Sequence, residues 1–148
     1  MKVRKYDCAE NVAFGKTAWQ SSTFSTYVAS NAVDGINSAP GASTEQGRPT
    51  HKWGVNFGGL KVIDDIELRI RMWITGGVYS VNFSNTSDFQ KSQHCQTFRR
   101  VVSENGPYKV SFKCLIGKVV AKFMKIQFIN PKGKALGLLE VVVFGWNV

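Results

Sequence analysis

Asn31, Asp34 and Asn37 stand three residues apart in the stretch NAVDGIN, with Gly35 beside the carboxylate. A hard cation such as Ca²⁺ takes six to eight oxygens, many of them backbone carbonyls of a curled loop. Asp, Asn and Gly in one short turn can supply both carboxylate and carbonyl oxygens. The same spacing also fits an ordinary Asx–Gly turn, and the regular acidic spacing and terminal Glu of an EF-hand are absent. Glu140 is the one acid in residues 105–148, and it sits inside the apolar run LLEVVVF. A buried lone carboxylate is costly unless it is paired or metal-bound. Two partners are open to it: a Lys or Arg at the sheet edge, or a cation shared with the NAVDGIN loop.

Residues for catalysis are poorly placed. His51 and His94 stand apart, and no Ser lies in a GxSxG elbow. Asp64 and Asp65 fall at a strand start, where charged residues are ordinary. His94 and Cys95 are adjacent, so on a strand they point to opposite faces and cannot form a thiol dyad. A binding protein is expected rather than an enzyme.

These residues need a scaffold, and the scaffold reads as all-β. Ile66, Leu68, Ile70 and Met72 alternate with Glu67, Arg69, Arg71 and Trp73, the period of a strand with one buried face. Gly76-Gly77 should turn the chain. Tyr79, Val81 and Phe83 then alternate with Ser80, Asn82 and Ser84, and Tyr108, Val110 and Phe112 alternate with Lys109, Ser111 and Lys113. Residues 118–129 form another strand candidate. The nearly all-apolar residues 138–146 read as a central strand. Helical period is confined to one short turn over residues 26–33. The Gly/Ser/Pro-rich segment 35–52 is expected to be a long loop, functional or mobile. Strands punctuated by turns predict a β-sandwich or barrel in one domain of 148 residues.

The formal charge is +9, and residues 91–134 carry ten Lys or Arg against one acid, Glu104. Such a segment is either a solvated basic face or an attractant for anionic glycans and acidic lipids. No compact basic run or recognition-helix pattern points to nucleic acid. No apolar run is long enough to span a membrane, and no secretory leader is visible near Met1. The chain is therefore either cytosolic or stripped of a leader; the second is expected. Asn82 and Asn85 both begin N-glycosylation acceptor triplets, which fits secretion. Of the three cysteines, Cys95 and Cys114 border predicted strands. A bridge between them would be worth on the order of 3 kcal/mol, with Cys8 left over. Three reduced thiols are the alternative.

ENVAFGKTAWQSSTF followed by ASNAVDG resembles the opening of the F-type lectin and coagulation factor 5/8 C-type (discoidin-like) domains. KWGVNFG, DDIELRIR and LLEVVVFG resemble later elements of that family in the same order, over roughly residues 10–146. The resemblance implies an eight-stranded jelly-roll β-sandwich, galactose-binding-domain-like, over residues 10–148, with 1–9 as an extension. It implies a structural Ca²⁺ held by Asn31, Asp34, Asn37, Ser43 and Glu140, with the Leu139 carbonyl as a further ligand. Cys95, Cys114 and Gly117 resemble the disulfide segment of molluscan members, which implies the Cys95–Cys114 bridge. Fucose in the F-type pattern is held by a His and two basic positions. Here His51 and Arg71 match in part, while Trp73 stands where an Asp belongs and no second basic residue follows. His51, Arg71 and Trp73 are thus the expected, modified carbohydrate site.

The resemblance implies a secreted recognition domain for fucose- or galactose-like or anionic glycans, including those of cell-surface glycoproteins. The alternative is an adhesion module that binds proteins, sulfated polysaccharide or an anionic membrane surface through basic residues and loop-tip aromatics such as Phe24, Tyr27 or Trp53. A third possibility is a purely structural module of a larger protein.

Overall fold

A computed structural model describes residues 9–38, 40–73, 77–99 and 104–148; the side chains of residues 72, 73 and 104–106 lie outside the description. Cys8 and Gly76 fall outside it as well. Nine strand segments account for nearly all of the regular structure: β1 (Glu10–Asn11), β2 (Thr17–Gln20), β3 (Ala42–Ser43), β4 (Thr50–Trp73), β5 (Val78–Ser84), β6 (Ser92–Arg99), β7 (Glu104–Phe112), β8 (Val119–Ile129) and β9 (Gly137–Asn147). Among the described residues one 3-10 helix, Ala29–Val33, interrupts them. Every pairing between these strands is antiparallel.

β4 organises the sandwich because it belongs to both sheets. Its first part, from Thr50 to Asn56, pairs with β2 and β8. Its last part, Ile66 onward, pairs with β7 and β9. The register shifts between Asn56 and Lys61, where the chain carries Gly58-Gly59. One sheet thus runs β2-β4-β8-β5-β6, and the other places β4 between β7 and β9, with β1 and β3 on the far side of β9.

Period two decides what lies between the sheets. Trp53, Val55 and Phe57 from the first part of β4 are fully buried, as are Ile66, Leu68 and Ile70 from its last part. Tyr79, Val81 and Phe83 of β5 meet Met124, Ile126 and Phe128 of β8. Tyr79 stacks on Phe128 at 4.4 Å between centroids, and each large ring so buried contributes about 2–3 kcal/mol of transfer free energy. The alternation read in residues 66–71, 78–83 and 108–112 is therefore the alternation of the sheets, while Ser84, read as outward-facing, is buried. Residues 137–147 form the central strand expected of an apolar run, flanked by β4 on one side and by β1 and β3 on the other.

Two expectations change. The segment 35–52 is not one long loop: Ala42–Ser43 pair with β9, and Thr50 already opens β4. Trp53 is no loop-tip aromatic. It is buried, and its indole N–H donates to the Ala29 carbonyl at 3.0 Å, tying the 3-10 helix to the sheet.

Cys95 is the extra residue where β6 shifts register against β5, between His94 and Gln96. It is fully buried and bonded to Cys114, just past β7. β6 and β7 are edge strands of the two sheets, so the disulfide ties the sheets along one border.

Candidate functional site

Two neighbouring constructions lie around the loop that follows the 3-10 helix. The first is built on Glu140. Val141 points into the core opposite Leu68, so alternation turns Glu140 out of the inter-sheet core, opposite Arg69. It is nevertheless only 1% exposed. Gly35, at φ +82°, adopts the left-handed turn that glycine tolerates without strain and aims its N–H at Glu140 Oε2, 2.8 Å away. Asp34 closes on the same carboxyl while its Oδ1 accepts the Ile36 N–H at 2.9 Å. Burial, and then the charge and hydrogen bond of Asp34, push the Glu140 carboxyl up to about 7, against the pull of the Gly35 N–H and Arg69. Its Oε1 has no hydrogen-bond partner although it is buried.

The remaining candidate ligands are distributed unevenly around this pair. Asn31 lies in the helix with its backbone N–H donating to the Val28 carbonyl, and its amide nitrogen donates to the Gly41 carbonyl at 3.1 Å. Asn37 is exposed, three residues past Asp34. Ser43 is turned to other work: its carbonyl accepts from the Phe24 N–H and the Gln20 amide, and its hydroxyl donates to the Thr44 carbonyl. Among the described residues no group of three or more His, Cys, Asp and Glu converges. Any cation here would rest on two carboxylates and otherwise on neutral oxygens. That donor set suits Ca²⁺, which accepts carbonyl oxygens, and the orphaned Oε1 is an acceptor in search of a positive partner.

The second construction is a pocket of about 470 Å³ whose lining includes Phe24, Tyr27, Glu45, Gln46, Arg71 and Lys134. Arg71 leaves the end of β4, crosses Gly137, and donates from Nη2 to the Pro40 carbonyl. Its guanidinium carbon lies 5.3 Å from the centre of the Tyr27 ring, a cation–π arrangement that fixes the charge in place. Phe24, about half exposed, leans on Tyr27 at 5.7 Å. The pocket therefore offers an exposed aromatic edge, two cations, one carboxylate and an amide.

His51 does not share in this pocket. It is fully buried. Its Nε2 lies 2.8 Å from the Arg48 carbonyl, which can only accept, so Nε2 carries the proton. Nδ1 is then an acceptor for the Thr44 hydroxyl at 2.7 Å, while that hydroxyl accepts the Leu136 N–H at 2.8 Å. Burial holds the imidazole below its usual range, with the Arg48 charge adding to that effect. The ring is a strut between β4 and the loops on either side of it; the expectation that it binds sugar is corrected on that ground. The side chain of Trp73 lies outside the described residues. Lys134 and Gln46, absent from the sequence-based site, join Arg71 only because β9 folds back beside β4. No spacing in PKGKA announces that.

A scan against protein-family models and a search of curated proteins find no match. Solved structures do resemble the chain. A chitosan-binding module of a chitosanase/glucanase from Paenibacillus sp. IK-5 superposes with a TM-score of 0.75 at 20% identity, over 93% of this chain and 99% of that one. The family 32 carbohydrate-binding module of C. perfringens NanJ, solved with galactose, gives 0.71 at 18% identity over 92% and 97%. The fucolectin of striped bass (Morone saxatilis) serum gives 0.69 at 22% identity over 93% of this chain and 49% of that one. At such identities the likeness is one of fold: the chain shares the antiparallel β-sandwich of these structures.

Proposed function

We propose that this chain is a non-catalytic carbohydrate-recognition domain that holds a glycan in the pocket beside Arg71. The observation that carries this is the fixed guanidinium, laid on Tyr27 and next to the exposed Phe24. Sugars present hydroxyl oxygens on their edges and C–H groups on a face. Arg71, Lys134 and Gln46 are donors for the former, and Phe24 is an apolar surface for the latter. Among the described residues Glu45 is the one carboxylate of the lining, whereas glycoside hydrolysis by the usual route needs a pair. The similar solved structures include modules described as binding chitosan, galactose and fucose, which supports a glycan as the ligand class. With His51 buried, the fucose pattern is broken, so a different sugar is favoured.

Beside the pocket, Asp34 and Glu140 with the carbonyls of Asn31, Asn37 and Leu139 would hold a structural Ca²⁺. Bound there, the ion would neutralise two carboxylates and brace the loop carrying Pro40, on which Arg71 leans. The disulfide supports an extracellular location, where glycoproteins of cell surfaces are the natural partners.

A glycan array read with and without chelator tests the proposal. Saturable binding to defined glycans is expected, weakened at least tenfold by Arg71→Ala in a protein that still unfolds cooperatively. If no glycan binds, or if Arg71→Ala binds as tightly as the parent, the pocket is not a sugar site.

A further inference from the structure

The outer face of the β2-β4-β8-β5-β6 sheet is built differently from an ordinary solvated face. Strand register places Trp19, Gly54, Lys125, Asn82 and His94 in one row across all five strands. The next row on the same face runs Lys52, Gln127, Ser80, Thr97. Trp19 lies flat in this plane. A Cβ added to Gly54 would come within 2.4 Å of the indole, so only glycine lets the ring settle on the sheet, and the ring remains 38% exposed.

Charge on this face has no answer from the protein. β2, β5, β6, β8 and residues 50–57 contain no Asp or Glu. Among the described residues neither Lys52 nor Lys125 makes an ion pair. Lys125 instead rests over the Phe89 ring at 4.7 Å. Burial and the charge of Lys52 both press the Lys125 ammonium below its usual range. Polar side chains continue the rows: Asn82 Oδ1 accepts from His94 Nδ1 at 2.8 Å, and His94 Nε2 lies 2.9 Å from the Thr97 hydroxyl.

We infer that this face is a second binding surface, distinct from the Arg71 pocket, for a chain of acidic polysaccharide. The row spans four interstrand gaps, roughly 19 Å, long enough for several sugar units in extended form. Trp19 provides the stacking platform for a pyranose face. Lys52 and Lys125 lie beyond it across the strands, positioned for the anionic groups, and Gln127 for hydroxyl oxygens. Lysine serves a sulfate ester and a uronate carboxylate alike. A membrane is disfavoured, because Trp19, the exposed aromatic of these rows, lies flat in a polar plane rather than standing proud of it.

The test is titration of the full chain with heparin, which is sulfated, and with alginate, which carries carboxylates alone, at several salt concentrations. Binding to at least one is expected, and the chain that binds names the acid. Replacing both Lys52 and Lys125 with Ala should weaken it about tenfold or more and make the salt slope shallower by roughly two. Trp19→Ala should weaken binding with the slope unchanged. Arg71→Ala should bind the acidic chain as the parent does, which separates this surface from the pocket whether or not the pocket proves to bind sugar. Thermal unfolding of each variant checks that the fold survives, and Lys52→Gln with Lys125→Gln repeats the charge test with the side-chain stems kept. Failure to bind either polysaccharide overturns the inference. So does binding that the lysine and Trp19 variants leave intact, or equal binding of duplex DNA with no dependence on Trp19.

Discussion

On the face carried by β7 and the last part of β4, cations meet carboxylates. Lys109 lies 3.3 Å from Glu67, and Lys113 lies 3.2 Å from Asp64 and 3.1 Å from Asp65. On the opposite face, Lys52 and Lys125 repel one another, and β2, β5, β6, β8 and residues 50–57 supply no acid. Both sheets satisfy the same rule on their inner sides, where period-two alternation buries aliphatic and aromatic residues. The outer sides are free of that demand. One has become a web of weak ion pairs, the other a donor-rich platform. A net charge of +9 therefore conveys little by itself; what matters is which cations the protein has already neutralised.

The largest test breaks the connection between the two sheets. Cys95→Ser with Cys114→Ser should cost about 3 kcal/mol in urea unfolding, as expected for closing a loop of this size. An unchanged midpoint would mean that β4 alone holds the sheets together.

The next test concerns the acidic sheet. Glu140 is raised in the folded chain to about 7 from 4.5. In chelator its contribution is therefore full below pH 4.5 and is lost as pH rises through 7, a swing of about 3 kcal/mol. Glu140→Gln should abolish that slope. Calcium should restore stability to the parent at neutral pH, and a melting temperature indifferent to calcium in the parent would contradict the proposed metal site.

His51 titrates in the other sense. Its folded pKa is depressed, so its stabilisation is present above the unfolded value near 6.5 and is lost as pH falls below it. His51→Ala should cost about 1–3 kcal/mol by stranding the Thr44 hydroxyl and the Arg48 carbonyl. It should also flatten the acid limb of the stability profile. Because Glu140 and His51 oppose each other between pH 4.5 and 6.5, the two limbs are best read in the single variants.

The smallest effect sharpens the comparison most directly. Lys113→Ala should lower stability slightly, more so at low salt, since it leaves Asp64 and Asp65 without their partner. Lys125→Ala should leave stability unchanged or raise it, because burial and Lys52 both work against its charge. Parallel melts at two salt concentrations decide this; equal losses in both variants would erase the distinction between the faces.

Much of the fold was legible because alternation is local. Ile66–Leu68–Ile70 and Tyr79–Val81–Phe83 declare their buried side without reference to any partner. Strands with weaker alternation, such as residues 17–20 and 92–99, were not legible. β2 is short and polar apart from Ala18 and Trp19, and β6 is broken by the register shift at Cys95. The Glu140 oddity was visible from composition, since a carboxylate inside LLEVVVF demands a reason. Arg71 was visible through its family pattern. His51 was misjudged because a histidine beside a polar loop looks the same in sequence whether it faces water or is roofed by Thr44 and Arg48.

What the chain determined locally, then, is the alternation of its strands, the glycine-dependent turn at Gly35 and the surplus of lysine. What only the tertiary structure decided is which residues meet. Gly35 reaches Glu140 across 105 positions, Arg71 lies beside Lys134, and Trp19 settles on Gly54 in the same row as Lys125. Hydrophobic periodicity acts over a few residues and is written in the sequence. Pairing between distant strands depends on register and on the passage of β4 from one sheet to the other, and these emerge only when the whole core closes.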